Sequence, residues 1–191
     1  MARDVARDVR PDVPSNARAS AVVHRNAAAV TEAARRLGLD IAIREFPEGT
    51  RTAADAAAAI GVEVGQIVKS LVFAVGDPEA RTETGRLVMV LVSGRNQLDE
   101  RKLARAARAG GSWRVDAEAV RAATGFPVGG VPPFGHAAQL ETFLDSDLCA
   151  YEEVWAAAGT PTHVFAVAPA TLIATCGATQ CDLAKRTETS A

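Results

Sequence analysis

Lys69 is the residue of this sequence whose type and setting first demand a chemical explanation. It stands within Gln66-Ile-Val-Lys-Ser-Leu-Val-Phe-Ala-Val75, the most hydrophobic stretch of the chain. An ammonium there must meet water, an anion or a counter-charge, because burying it unpaired is prohibitive. On a strand it shares parity with Ile67, Leu71, Phe73 and Val75, while Ser70 shares the other face with Val68 and Val72. Two readings are open. Lys69 is a strand-end lysine that snorkels or pairs with a carboxylate, or a cation at a pocket edge that holds phosphate or carboxylate. Composition tilts toward the second: of 21 basic residues only Lys69, Lys102 and Lys185 are lysines, so arginine is the usual cation here.

A second candidate is Gly125-Phe-Pro-Val-Gly-Gly-Val-Pro-Pro-Phe-Gly-His136. Four glycines and three prolines in twelve residues exclude helix and interior strand. Gly129 and Gly130 allow positive φ or a close backbone approach, and Pro132-Pro133 stiffens the end of the loop. Such a loop suits a carbonyl or anion site built from main-chain amides, and equally a structural connection. His136 reads most simply as a local hydrogen-bonding group. Other chemistry has no signature here: there is no GxxxxGK[ST], HExxH, CxxC pair or GxSxG. His24, His136 and His163 are far apart, and Cys149, Cys176 and Cys181 lack metal spacing, so no metal or cofactor is expected.

These residues need a scaffold, and its elements are legible. Val23, Ala27, Val30, Ala34 and Leu37 step by three and four, which predicts a helix from about Arg18 to Leu37 with a stop at Gly38. Ile41–Phe46 alternates as a strand. Thr52 and Asp55 have capping-box spacing ahead of a short helix closed by Gly61. Residues 66–75 and 86–92 are apolar at both parities, as strands covered on both faces are, and should pair as antiparallel neighbours. Asp99 caps a helix through Arg108, ended by Gly110-Gly111; Asp116 caps another as far as Gly125. Strands come next at 140–144, 152–156 and 163–167, then a helix opened by Pro169 and a short strand at 180–183. The expectation is a single α/β domain over residues 17–186, with a mixed β-sheet flanked by helices. Residues 1–16 and 187–191 are expected to be tails, the first of them mobile.

Length and charge set the outer bounds. A chain of 191 residues is one domain with little to spare, and 48% hydrophobic residues can fill a core. Net charge is −2, against a general nucleic-acid coat but compatible with a local basic patch. Arg101, Arg105 and Arg108, at spacings of four and three, offer one, although an ordinary solvated helix face explains them as well. No apolar run reaches membrane-span length and the first residues do not read as a secretory signal; with an odd cysteine count, a reduced, cytoplasmic protein is expected.

Taken together, Gln66-Ile-Val-Lys69-Ser70-Leu71-Val72 and Thr124-Gly125…Val128-Gly129-Gly130-Val131-Pro132-Pro133-Phe134-Gly135-His136 resemble the YbaK/EbsC family. These are aminoacyl-tRNA editing domains related to the insertion domain of prolyl-tRNA synthetase. The resemblance spans about residues 20 to 185 and includes Leu98-Asp99, Lys102-Leu103-Ala104 and Phe143-Leu144-Asp145. It implies a free-standing deacylase that cleaves the ester between a wrong amino acid and the tRNA 3′ end. The implied partner is the acceptor end of aminoacyl-tRNA, with a synthetase as a conceivable second.

By the same resemblance Lys69 is the principal functional side chain, Gly129 and Gly130 belong to the catalytic loop, and Gly135, His136, Pro132 and Ser70 contact substrate. Water is activated with help from the substrate's own ribose hydroxyl, without a protein nucleophile. Pro132 departs from the family, many members of which carry serine there. Two alternatives share the scaffold: a non-catalytic RNA- or nucleotide-binding module, and a small-ester hydrolase.

Overall fold

The computed structural model describes residues 24–46, 52–79 and 85–186. The expected tails at 1–16 and 187–191, and the first residues of the expected N-terminal helix, lie outside them. In chain order the elements are α1 (Arg25–Arg36), β1 (Ile43–Glu45), α2 (Ala53–Ile60), β2 (Val68–Gly76), β3 (Arg86–Ser93), α3 (Glu100–Ala106), β4 (Gly111–Arg114), α4 (Ala117–Thr124), β5 (Glu141–Asp145), β6 (Val154–Ala157), β7 (His163–Val167), α5 (Pro169–Cys176) and β8 (Thr179–Cys181).

Local chemistry sets most boundaries. The Thr52 side chain accepts from Asp55 N while Asp55 accepts from Thr52 N, a closed capping box. Asp99 Oδ1 accepts from the amides of Arg101 and Lys102, and Asp116 Oδ1 from Ala119 N. After α1, Leu39 N bonds Ala34 O and Gly38 N bonds Arg35 O, the paired bonds of a Schellman stop. Two expectations differ. The Asp99 helix ends at Ala106, and Arg108 lies beyond it with φ 53°. The Gly110-Gly111 pair is therefore not the helix stop: Gly111 opens β4, a strand whose partner β2 lies far away in sequence.

Five strands form a mixed sheet in the order β4-β2-β3-β5-β8, with β2–β3 and β2–β4 antiparallel and β3–β5 and β5–β8 parallel. Central β3 explains its own sequence: Met89 and Leu91 pack into one core, Val88, Val90 and Val92 into the other, all without solvent exposure. Each such side chain contributes about 1.5–3 kcal/mol through burial. The first core gathers α1, α4 and α5 on one face of the sheet; Leu103 and Ala107 cover the other face. A second, antiparallel sheet in the order β1-β7-β6, not anticipated from sequence, meets the first through the Ile67–Trp155 bridge.

Candidate functional site

The site begins with a stretch of sheet edge that no strand among the described residues fills. On one side β2 pairs with β3 along its length. On the other, β6 reaches it at Ile67 and β4 only from Phe73 onward. Gly94 N donates to Ile67 O at 2.7 Å, so odd-numbered residues turn their main-chain groups toward β3. Ser70 falls in the opposite phase, within the gap, and presents its N–H and C=O to the open side.

A cavity of about 460 Å³ lies along this gap. Because it borders an edge, side chains of both parities reach it: Val68, Ser70 and Val72 from one face of β2, Lys69, Leu71 and Phe73 from the other. Trp155, Ala157 and Val164 of the β6–β7 hairpin also line it. Val164 pairs with Arg44 on one side and Ala157 on the other, so the three side chains share one face of this sheet. Arg44 stacks over the Trp155 ring at 4.7 Å, while Arg114 lines the cavity and lies 5.8 Å from the Phe73 ring. Ser70 Oγ and Trp155 Nε1 are buried and have no hydrogen-bond partner among the described residues.

Lys69 is held by main chain. Its Nζ donates to Gly94 O at 3.2 Å and to Asn96 O. The segment carrying those carbonyls is itself pinned: buried Asp145 accepts from Ser93 N and from Asn96 Nδ2, and Asp147 accepts a second bond from Asn96 Nδ2. Among the described residues no carboxylate lies in ion-pair contact with Lys69. Burial pushes its pKa below the ordinary lysine value, and the charge of Asp145 pulls partly the other way. The result is a half-buried ammonium that borders the cavity without a direct counter-ion.

The glycine loop supplies another wall through Val128, Gly129 and Val131. Gly130 N donates to Pro127 O, closing a turn in which Gly129 takes φ 85°. Gly130 packs so close to the hairpin tip that a Cβ there would sit 2.6 Å from Thr160 Cα. Loop and hairpin are thus in main-chain contact, and Thr160 and Pro161 extend the cavity lining beside them. Thr160 Oγ1 lies 2.6 Å from His163 Nδ1, which fixes the tip.

A sequence profile of the aminoacyl-tRNA editing domain matches residues 47–175, a span holding Lys69, the open edge and the glycine loop. The chain belongs to that family. Solved structures agree on the fold. One, described as a candidate trans-editing enzyme for prolyl tRNA synthetase, is 43% identical, with a TM-score of 0.78 over 86% of this chain and 99% of that one. Another, from work on backbone grafting of epitopes onto scaffold proteins, is 42% identical with a TM-score of 0.77, covering 86% and 100%. The hypothetical protein APE2540 is 27% identical with a TM-score of 0.73, covering 82% and 99%. The uncharacterized Bacillus subtilis protein YwhH is 29% identical over 127 residues, 66% of this chain and 76% of its own.

Within this editing domain the expected site residues divide. Lys69, Ser70 and Gly129 border the cavity, and Gly130, next in the loop, packs against Thr160 behind the lining. Gly135 and His136 border a separate, shallow depression beside α1, where a Cβ on Gly135 would meet Ala33 Cβ at 2.7 Å. His136 Nε2 lies 2.7 Å from Pro132 O, a buckle across the loop, and burial lowers its pKa against the pull of that carbonyl. Pro132 is buried and is not among the cavity-lining residues. Arg101 and Arg105 flank a surface groove by α3, away from the cavity lining. Since Arg108 lies past the helix end, the three arginines do not form one helical stripe.

The sequence reading missed Trp155, Thr160, Arg44 and Arg114. Only Trp155 carried a usable signal, as an indole on a short strand; Arg114 and Arg44 are placed by pairing between distant segments, Arg44 against the Trp155 ring rather than in the cavity lining, and Thr160 sits at the hairpin tip against Gly130. Among the described residues no three His, Cys, Asp or Glu side chains are grouped to hold a metal ion. No helix among them is long and apolar enough to cross a membrane.

Proposed function

We propose that this editing domain is a free-standing, trans-acting deacylase of mischarged tRNA. The observation that carries this reading is the cavity itself: apolar walls, a half-buried ammonium lacking a carboxylate partner at its border, and a rigid glycine loop closing it. In this reading the Lys69 charge holds a phosphate or the terminal ribose of the acceptor end, and the aminoacyl group enters the cavity. Val68, Val72, Val120, Val131 and Val164 strip water from its side chain.

Hydrolysis then needs little further machinery. A water oxygen adds to the ester carbonyl carbon, the bond to the ribose oxygen breaks, and that oxygen leaves with a proton originating from the water. An ester is already activated, so orientation and preorganised dipoles provide the required barrier reduction. The ribose 2′-hydroxyl takes part as proton carrier, and the hydroxyls that line the cavity, Ser70 among them, serve as hydrogen-bonding groups rather than as nucleophiles. The cytoplasm, where charged tRNA is found, is the compartment this activity requires.

A panel of mischarged tRNAs tests the proposal. Release of free amino acid with multiple turnovers supports it. Binding without release makes the chain an RNA-binding module, and hydrolysis of small esters irrespective of tRNA makes it a general esterase.

A further inference from the structure

We infer that the open main-chain edge at Ser70, together with Trp155 Nε1, is the acyl-recognition element of this site, reading the substrate's amino acid as a one-residue added strand. The inference rests on the deacylase reading and assigns to named atoms what that reading leaves open.

A strand edge offers an amide donor and a carbonyl acceptor side by side on every second residue. Between the β6 contact at Ile67 and the β4 contact at Phe73 there is room for one such unit, and Ser70 supplies it. An α-aminoacyl ester carries the complement on its own backbone: an amine that donates and a carbonyl that accepts. Laid against β2, the amine meets Ser70 C=O and the ester carbonyl meets Ser70 N–H, the two bonds of an antiparallel residue pair. This is strand addition reduced to a single residue.

The arrangement is chemically directional. When water adds to the carbonyl carbon, the carbonyl electron pair moves onto the oxygen already facing Ser70 N–H. The donor therefore faces the charge that develops in the transition state. The glycine loop is less suited to this, because Gly130 N–H is already spent on Pro127 O.

Two side-chain observations point to the same occupant. Trp155 is 4% exposed, and its Nε1 is an indole donor that can only give a hydrogen bond. Ser70 Oγ is likewise buried without a partner. Both residues line the cavity, and a buried polar atom left unpaired is costly unless a ligand satisfies it. The oxygens of an aminoacyl ester and its ribose are acceptors of the required kind. Recognition along this edge does not depend on the amino acid's side chain; discrimination is left to the apolar walls.

The test replaces the Lys69–Ser70 peptide bond with an ester, by incorporating the α-hydroxy analogue of serine at position 70. That N–H is replaced by oxygen, and the Lys69 carbonyl, which faces Val92 of β3, becomes the weaker acceptor of an ester. The partner variant is Trp155→Phe, and both full-length variants are assayed on alanyl-, seryl-, cysteinyl- and prolyl-tRNA. The backbone ester is expected to lower kcat about a hundredfold on the best substrate, the scale of losing one oxyanion donor. KM should stay within about twofold, and the melting temperature should fall only slightly, since among the described residues this N–H has no strand partner and only the Lys69–Val92 bond is weakened. Trp155→Phe is expected to lower kcat about tenfold. An active wild type with both variants fully active overturns the inference and leaves the deacylase reading standing. A variant that loses melting temperature but keeps kcat reduces the edge to a structural role and also overturns it. A wild type that releases no amino acid from any of these tRNAs removes both.

Discussion

Two lysines in this chain grip main-chain carbonyls, and they do so in opposite electrical company. Lys102 bonds Ala184 O and, at 2.6 Å, the carboxylate of Asp182; it ties α3 to the chain after β8. Lys69 bonds Gly94 O and Asn96 O, with the charge of Asp145 felt only through space. The first is a closed ion pair whose work is finished once the chain has folded. The second is anchored but electrically unfinished, and it borders a cavity. A cation held by neutral acceptors is the arrangement expected where an external anion completes the circuit.

The sharpest way to break this contrast is Lys69→Ala. Deacylation should fall about a hundredfold or more while the fold survives. Lys69→Arg should restore little, because a planar fork cannot take the position of an ammonium seated on two carbonyls. Turnover and melting temperature measured together decide it, and a fully active, well-folded Lys69→Ala variant rules out a functional cation.

Gly130→Ala tests the wall rather than the charge. Its Cβ would meet Thr160 backbone at 2.6 Å, so loop and hairpin tip must separate. A loss of about 1–3 kcal/mol in stability, together with a loss of turnover, is expected. Gly129→Ala meets nothing closer than 3.7 Å and strains only its φ, so it should cost about 1 kcal/mol by chemical denaturation.

On the other side of the comparison, Lys102→Met should remove about 1 kcal/mol, roughly 2–4 °C in melting temperature, and leave turnover unchanged. A Lys102→Met variant as inactive as Lys69→Ala would erase the distinction.

Alkaline titration sharpens it further. Burial lowers the Lys69 pKa, so the folded chain releases this proton at lower pH than the unfolded chain does. Below the lowered value both states carry the charge, and the folded one bears the desolvation cost. Stability linked to Lys69 therefore rises with pH between the lowered value and the ordinary lysine value, while activity needing the ammonium falls over the same window. Lys69→Ala should abolish both slopes.

The smallest effect is expected at the arginines on and just after α3, which are outside the cavity lining. Replacing Arg101, Arg105 and Arg108 by glutamine should weaken tRNA binding modestly and flatten its salt dependence, read from binding isotherms at several salt concentrations. Unchanged binding at low salt makes them solvated surface.

How far the sequence reveals this design depends on the range of the forces involved. Thr52, Asp99, Asp116 and Gly61 act within a few residues, and the caps and stops they announce are present. The antiparallel β2–β3 pairing is legible because both strands are apolar at each parity. β4 escapes because Gly111–Arg114 is too short to show a period and exists by pairing with β2. The anchor of Lys69 escapes too: its partners are carbonyls, which every residue carries. His136 looks like a site residue because it ends the glycine loop, yet chain proximity places it against Pro132 rather than in the cavity.

The contact between Gly130 and the hairpin tip has a consequence for how the molecule comes into being. The cavity is enclosed by segments near residues 52–56, 67–73, 114–131 and 155–164, so its walls close loops of many tens of residues. Such closures are entropically late, and they come after the local helices and the β2–β3 hairpin in time. A nascent or partly melted chain thus has its β2–β3 hairpin before it has its site. Hydrogen exchange should find the tip around Thr160 opening more readily than β3, with catalytic competence vanishing on warming before the sheet does.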